Sequence, residues 1–201
     1  MIKSFLTRLT QFIVGALFIF SGLVKMNDPV GFSFKLEEYF SSEVLNLPFL
    51  EPLALPLAIL LVVIEVLLGA ALLLGLWTRW VLILLSAMIA FFTFLTFWSA
   101  YFNQVTDCGC FGDAIPLKPW ESFYKDVILS ALILVLWWGE SRIFSGWPKV
   151  LVQINLLAIP IFCAWFSYHV INHLPVEDFR PYAEGLSIAE GMKPAEELGL
   201  E

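Results

Sequence analysis

Long apolar runs make up most of the chain, and short polar segments separate them. A helix that crosses a bilayer needs about 20 largely apolar residues. The chain therefore predicts an all-α, polytopic membrane helical bundle over residues 1–173. Its five predicted transmembrane helices lie at about 9–27, 53–76, 80–102, 124–140 and 148–170.

Composition supports this fold class. Of the 201 residues, 60% are apolar and 14% are charged, against about 45–50% and about 25% in soluble domains. We therefore expect the lipid bilayer to surround most of the chain. The net charge of -7 leaves no basic surface that could neutralise a run of phosphates, so binding to nucleic acid is excluded.

The distribution of basic residues predicts the orientation of the bundle. Cytoplasmic segments carry an excess of Lys and Arg, and five basic residues lie in short segments on one side of the predicted spans: Lys3, Arg8, Arg79, Arg142 and Lys149. We expect a cytoplasmic amino terminus, and five spans then place the carboxyl terminus outside the cytoplasm. No small-x-small cleavage site follows the first apolar run, so we expect the first helix to be retained.

The segment 32–45 follows the first predicted span on the outer side. Its apolar residues Phe32, Leu36, Tyr39 and Phe40 fall on one helical face, which predicts an amphipathic helix that lies flat on the membrane. Two interpretations remain open. The segment is either a plain connector or a lid over a site beneath it.

Residues 174–201 form a polar segment on the outer side. Repeated Glu, Pro and Gly residues leave too little apolar area for independent folding. We expect an exposed extracytoplasmic tail, which either docks on a partner or is the stump of a longer protein.

Two cysteines lie close together in the loop between the third and fourth predicted spans. Cys108 and Cys110 flank Gly109, on the side of the membrane where thiols meet oxidants. A disulfide between cysteines two positions apart closes a small strained ring, and strain makes such a bond labile. Three interpretations remain open: a redox pair, a structural clip of the loop, or part of a metal site.

The metal interpretation adds two histidines at the outer end of the fifth predicted span. His169 and His173 are four residues apart, and with Cys108 and Cys110 they would provide four ligands of the types that bind zinc. The Cys-x-Cys spacing is less typical of zinc sites than Cys-x-x-Cys. A redox pair without metal is therefore the preferred interpretation.

Glu65 lies near the middle of the second predicted span. An ionisable group at that depth costs several kcal/mol unless it is paired or protonated, which predicts that Glu65 faces the bundle interior. It would handle protons, bind a quinone headgroup, or be a neutral carboxyl bonded to Ser or Thr. Lys25 is expected to extend outward and not to pair with Glu65, which lies roughly 18 Å below the outer end of its helix.

Cys163 and four glycines lie inside predicted spans. We expect Cys163 to be a buried packing thiol. Glycines allow close contact between helices, which we expect at Gly15, Gly22, Gly69 and Gly75. The sequence contains no hydrolase or nucleotide-binding motif.

Three motifs together resemble the superfamily of DoxX-like and MauE-like membrane proteins. They lie at 20–29, 65–79 and 108–113 and read FSGLVKMNDP, EVLLGAALLLGLWTR and CGCFGD. The resemblance covers about residues 5–140. The fifth predicted span and the tail resemble an extended form found in Bacteroidetes.

The resemblance implies a four-helix core, to which this chain adds a fifth transmembrane helix, and redox work outside the cytoplasm. MauE-like proteins are linked to maturation of the disulfide-rich methylamine dehydrogenase, and DoxX-like proteins to a thiosulfate:quinone oxidoreductase. The chain would then lie in the bacterial inner membrane and exchange thiols or electrons at the periplasmic face, with a thioredoxin-like partner, quinone, or both.

Cys108 and Cys110 are the positions carried over from this resemblance, and together with Glu65 they are the predicted catalytic residues. The alternative is a membrane anchor or interaction subunit of a larger complex. In that case the cysteine pair is structural, and the tail and the segment 32–45 hold the partner.

Overall fold

The computed structural model describes residues 2–42, 44–102, 114–115, 117–144, 146–173, 175–177 and 179. These ranges contain helices and no strands, which confirms the all-α class. A 3-10 helix, Pro48–Leu53, leads into α3, and another, Glu140–Arg142, follows α5. The α-helices are α1 (Ile2–Asn27), α2 (Pro29–Phe40), α3 (Ala54–Leu74), α4 (Thr78–Phe102), α5 (Pro119–Trp138) and α6 (Lys149–Asn172).

Several of these helices match the predicted membrane spans. Within the described ranges, four helical segments are long and apolar enough to cross a membrane: Ile2–Asn27, Pro48–Leu74, Thr78–Phe102 and Lys149–Asn172. The polytopic membrane bundle is confirmed. The fourth predicted span, 124–140, stays a prediction, because the 20 residues of the matching helix α5 include Glu121, Lys125 and Asp126.

The bundle has two distinct ends. The α2 end holds the end of α1, α2, the start of α3 and the end of α4. The turn end holds the α3–α4 connection at 75–77 and the connection between α5 and α6 at 139–148. In the predicted orientation the α2 end is the outer one, and the turn end faces the cytoplasm.

Glycines bring α1 and α3 into close antiparallel contact, as predicted. A Cβ atom on Gly69 would lie 2.8 Å from the carbonyl oxygen of Gly15, and one on Gly22 would lie 2.6 Å from a methyl group of Val66. The backbones of the two helices therefore touch, which is how small residues stabilise helix pairs in membranes. Gly75 has another role: it ends α3 with a left-handed φ of 66°, a conformation that favours glycine.

A buried glutamine fastens the turn end. The Nε2 group of Gln11 donates to the carbonyl oxygens of Leu72 at 2.8 Å and Phe144 at 3.0 Å, and its Oε1 accepts from the Phe144 N–H at 2.9 Å. A buried amide is stable only when its donors and acceptors are paired. Gln11 thus joins α1 to the end of α3 and to the segment that follows α5.

The second helix packs on the protein and does not present its apolar face to the membrane. Pro29 begins α2, and the Asp28 side chain caps it by accepting from the Gly31 N–H at 2.8 Å. Phe32, Leu36, Tyr39 and Phe40 share one face, as predicted, but that face is buried, mainly against α3. The expectation that this face rests on the membrane is wrong, because α3 and the 3-10 helix before it are long enough to cover it.

The α4–α5 pair is antiparallel and starts earlier than expected. The rings of Phe97 and Phe123 are 5.5 Å apart at the α2 end, and Trp137 Nε1 donates to Ser86 Oγ at 3.0 Å nearer the turn end. α5 begins at Pro119, five residues before the predicted start at 124. Ser122 and Phe123, which precede the predicted span, are therefore inside the helix, and Asp126 lies seven residues after its start.

The segment after α6 is tied to the end of α1. The Asn27 side chain accepts from the N–H groups of Val176 at 3.0 Å and Glu177 at 3.3 Å, and it donates to the Glu177 carbonyl oxygen at 2.6 Å. The predicted tail is therefore anchored where it begins. Most of the tail, 178 and 180–201, lies outside the described residues.

Candidate functional site

The predicted redox pair lies outside the described residues. Cys108 and Cys110 fall between Phe102, where α4 ends, and Pro119, where α5 begins. Both of these helix ends lie at the α2 end of the bundle, because α4 and α5 are antiparallel neighbours. The side chains inside the ends of α4 and α5 are described, and they combine aromatic rings near the ends with buried polar groups further in.

Glu65 forms an ion pair with Lys25, which the sequence analysis did not expect. Lys25 Nζ lies 2.5 Å from Glu65 Oε2, and the two residues are 3% and 4% exposed. Lys25 therefore does not extend outward, and Glu65 is not paired with Ser or Thr.

The expectation was wrong because it assumed that α1 and α3 end at the same height along the bundle on the outer side. In the structure the chain turns back into α2 immediately after Asn27, and the first turns of α3 extend past the end of α1 to contact α2. Gly22 packs against Val62 and Val66. This contact sets Glu65 beside the last turns of α1, within reach of Lys25.

Aromatic rings complete the surroundings of Lys25. The Nζ atom lies 4.9 Å from the ring centre of Phe92 on α4 and 5.3 Å from that of Phe32 on α2. A buried ammonium group is attracted to ring faces at such distances. α2 therefore covers the ion pair, which agrees with the interpretation of this segment as a lid.

Asp126 is a second buried carboxylate, and the sequence analysis missed it. It is 1% exposed, and its two carboxylate oxygens lie 3.1 Å from Thr96 Oγ1 and 3.1 Å from Lys125 Nζ. Lys25 also interacts electrostatically with Asp126. The predicted span 124–140 contained Asp126 only two residues after its start. Pro119 was the available signal that the helix begins earlier, since proline is common at the first position of a helix.

Together these residues form a polar cluster, which we define as Lys25, Glu65, Thr96, Lys125 and Asp126. They come from α1, α3, α4 and α5. The charges alternate from the partly exposed Lys125 through Asp126 and Lys25 to Glu65. Ionisable residues at this depth mark candidate proton or ligand sites in membrane proteins.

The cluster lies below the loop that carries the cysteines. Thr96 is six residues before the end of α4, and Asp126 is seven residues after the start of α5, so each lies about 10 Å inside its helix end. Ser122, one turn closer to the loop than Asp126, is 1% exposed, and its hydroxyl has no hydrogen-bond partner among the described residues. The outer turns of the α4–α5 contact therefore contain buried polar groups beside the rings of Phe97 and Phe123.

The other predicted site residues lie apart from the cluster. His169 and His173 stack on each other at 4.5 Å, and the Nδ1 atom of His173 lies 2.9 Å from the His169 carbonyl oxygen. The described residues contain no group of three or more His, Cys, Asp or Glu arranged to hold a metal. Cys163 is fully buried among apolar side chains of α1, α2 and α3, which confirms the predicted packing thiol.

Comparison with known proteins places the chain in a family. Residues 3–139 match the family described as methylamine utilisation protein MauE, and this match includes the whole polar cluster. Protein TlpB of Flavobacterium psychrophilum is 28% identical over 145 residues, which cover 70% of this chain and 38% of that relative. No solved structure matches the chain. This multi-pass membrane protein belongs to the MauE family.

Proposed function

We propose that this protein transfers thiol-disulfide equivalents or electrons at the outer face of the bacterial inner membrane, with Cys108 and Cys110 as its redox pair. One observation carries the proposal. The loop that holds both cysteines joins α4 and α5, and the same two helices hold Thr96 and Asp126 in buried contact about two turns further in. The membership in the MauE family agrees with a membrane protein in redox maturation.

The exchange step follows ordinary thiol chemistry. The thiolate of one cysteine attacks the disulfide of a thioredoxin-like partner and forms a mixed disulfide, which the second cysteine resolves. The Cys108–Cys110 disulfide forms as the partner leaves reduced, with both of its thiols protonated. The reverse sequence returns two electrons and two protons to this chain.

Quinone is the proposed membrane acceptor. Oxidation of two thiols releases two electrons and two protons, which reduce one quinone to a quinol. The chain has three cysteines, and Cys163 is buried among apolar side chains, so the electrons have no second cysteine pair to pass through. In this proposal Glu65 and the polar cluster transfer the two thiol protons to the quinone. The amino terminus is cytoplasmic and the carboxyl terminus periplasmic.

The test is a thiol-trapping titration in native membranes, read as a mass shift for each free thiol. We expect the pair to reduce reversibly with a midpoint well above the value of about -300 mV below which structural disulfides lie. Cys163→Ala is the matched control, since it removes a cysteine but not the pair. A pair that never reduces, or a Cys108→Ser, Cys110→Ser variant that supports its host pathway and traps no mixed disulfide, would overturn the proposal.

The hydrogen bonds of Asn27 favour a second candidate function, that of an interaction subunit. They fix Val176 and Glu177 at the α2 end, so a partner bound to the tail would be held beside the cysteine loop. Deletion of residues 178–201 keeps this anchor and removes the rest of the tail. The interaction function expects the deletion to abolish co-purification of a partner, and an unchanged complex would count against it.

A further inference from the structure

An apolar cavity of about 540 Å³ lies at the turn end, away from the polar cluster. It is bounded by α3, by the α3–α4 connection and the first turns of α4, and by α6. Trp77 and Trp80 stand on one side, and Pro160 and Asn155 on the other. The remaining walls are aliphatic: Leu67, Leu68, Ala70, Ala71, Leu74, Leu76, Val81, Leu84 and Ile159.

A second, more polar pocket of about 330 Å³ adjoins this cavity. The two share Leu74 and Leu76, and the second is also lined by Lys149 and Gln153 from the first turns of α6. Trp147 forms another wall, and its ring is fixed because Nε1 donates to the Leu73 carbonyl oxygen at 3.2 Å. The apolar cavity, which we call the slot, thus lies next to a pocket that carries one cation, Lys149, and one amide, Gln153.

The charge at this end is strongly positive. Among the described residues, the turn end carries Lys3, Arg8, Arg79, Arg142 and Lys149 but a single carboxylate, Glu140. Basic pockets between membrane helices bind anionic lipid headgroups on the cytoplasmic side. The apolar slot, the pocket with Lys149 and the surrounding charge are therefore complementary to an amphiphile with a negative head.

We propose that the turn end holds one anionic phospholipid. An acyl chain occupies the apolar cavity between α3, α4 and α6, and the phosphate contacts Lys149 and Gln153. The site is separate from the polar cluster and does not depend on the proposed redox function. It joins α6, which is otherwise mostly exposed along its length, to the rest of the bundle.

The test uses the full-length protein in vesicles of neutral lipid. Phosphatidylglycerol and phosphatidylcholine, each with the same photoactivatable acyl chain, are added at low mole fraction, and labelled peptides are identified by mass spectrometry. We expect phosphatidylglycerol to label peptides of α3 and α6 that line the cavity, and phosphatidylcholine to label them several-fold less. Equal labelling by both lipids, or labelling spread evenly over all exposed helix faces, would overturn the proposal.

Two variants locate the headgroup and the chain. Lys149→Gln should reduce labelling by phosphatidylglycerol about fivefold, the effect of one basic residue near a membrane surface. Arg79→Gln is the matched control, because Arg79 is an exposed cation at the same end that lines neither cavity. Ala71→Leu narrows the slot and should reduce labelling by both lipids. If Lys149→Gln and Arg79→Gln have the same effect, the assigned headgroup site is wrong.

Discussion

The two ends of the bundle solve the burial of polar groups in different ways. At the turn end, the neutral side chain of Gln11 is paired with backbone groups of Leu72 and Phe144. At the α2 end, the ionisable side chains of Lys25, Glu65 and Asp126 are buried, and Lys25 lies beside the rings of Phe32 and Phe92. The first arrangement gives stability alone. The second adds little stability over well-packed apolar residues, which supports the proposed role of this pair.

The largest effect in this comparison of the two ends is expected for a substitution of Glu65. Glu65→Ala leaves the Lys25 ammonium buried without its carboxylate, which should reduce the free energy of unfolding by about 3–5 kcal/mol. Thermal unfolding in detergent measures this effect.

The double variant Lys25→Met, Glu65→Leu separates stability from function. It removes both charges and fills the space with apolar side chains, so we expect stability within about 1 kcal/mol of the natural protein or above it and loss of the redox activity. A double variant as unstable as Glu65→Ala, or a stable one with full activity, would contradict the functional interpretation of this pair.

A smaller effect is expected at Gly69, where α1 and α3 touch between the two ends. The Cβ of Gly69→Ala would meet the Gly15 carbonyl oxygen at 2.8 Å and the Ile19 nitrogen at 3.0 Å, and backbone atoms cannot rotate away. We expect a loss of about 1–3 kcal/mol in unfolding free energy. Gly146→Ala is the control, because its Cβ meets the ring of Phe144, which can turn. Equal losses would refute the backbone contact.

At the turn end, Gln11→Ala removes three hydrogen bonds. The Leu72 carbonyl oxygen keeps the Gly75 N–H as a second partner at 3.0 Å, so the expected loss is about 1–2 kcal/mol, mainly from Phe144. Gln153→Ala, an exposed glutamine on α6, should change stability by much less. Redox activity should be retained in both variants. Its loss in Gln11→Ala would contradict the interpretation that Gln11 contributes to stability and not to activity.

The smallest change is at Thr96. Thr96→Val keeps the shape of the side chain and removes the hydroxyl that lies 3.1 Å from Asp126 Oδ2, with an expected loss of about 1 kcal/mol. Thr93→Val is the matched control, since the Thr93 hydroxyl bonds to the Ile89 carbonyl oxygen of its own helix at 2.6 Å. Unfolding in detergent compares the two variants. A larger loss for Thr93→Val would show that the contact with Asp126 contributes nothing.

The apolar pattern was sufficient to find the long helices. It was not sufficient to predict how far each helix extends along the bundle relative to its neighbours. Runs of leucine, isoleucine and phenylalanine located α1, α3, α4 and α6 within a few residues, except that α1 begins earlier. The pairing of Lys25 with Glu65 depends on where α1 ends relative to α3, and a one-dimensional pattern contains no such information. The position of α2 depends on the same long-range packing.

The candidate site was predicted in part. Glu65 was identified because an acidic residue in an apolar run is costly, and it does face the interior. Asp126 was missed because it lies only two residues after the predicted start of its span at 124, although Pro119 indicated an earlier helix start. The roles of Cys108 and Cys110 stay predictions.

The hydrogen bonds of Asn27 give the tail a mechanical consequence. Asn27 is two residues from Lys25 and holds the backbone of Val176 and Glu177 on both its donor and acceptor sides. Tension applied to the tail by anything that grips it is therefore transmitted to the last turn of α1, and from there to the Lys25–Glu65 contact. A partner that binds the tail is therefore coupled mechanically, through Asn27, to the Lys25–Glu65 ion pair.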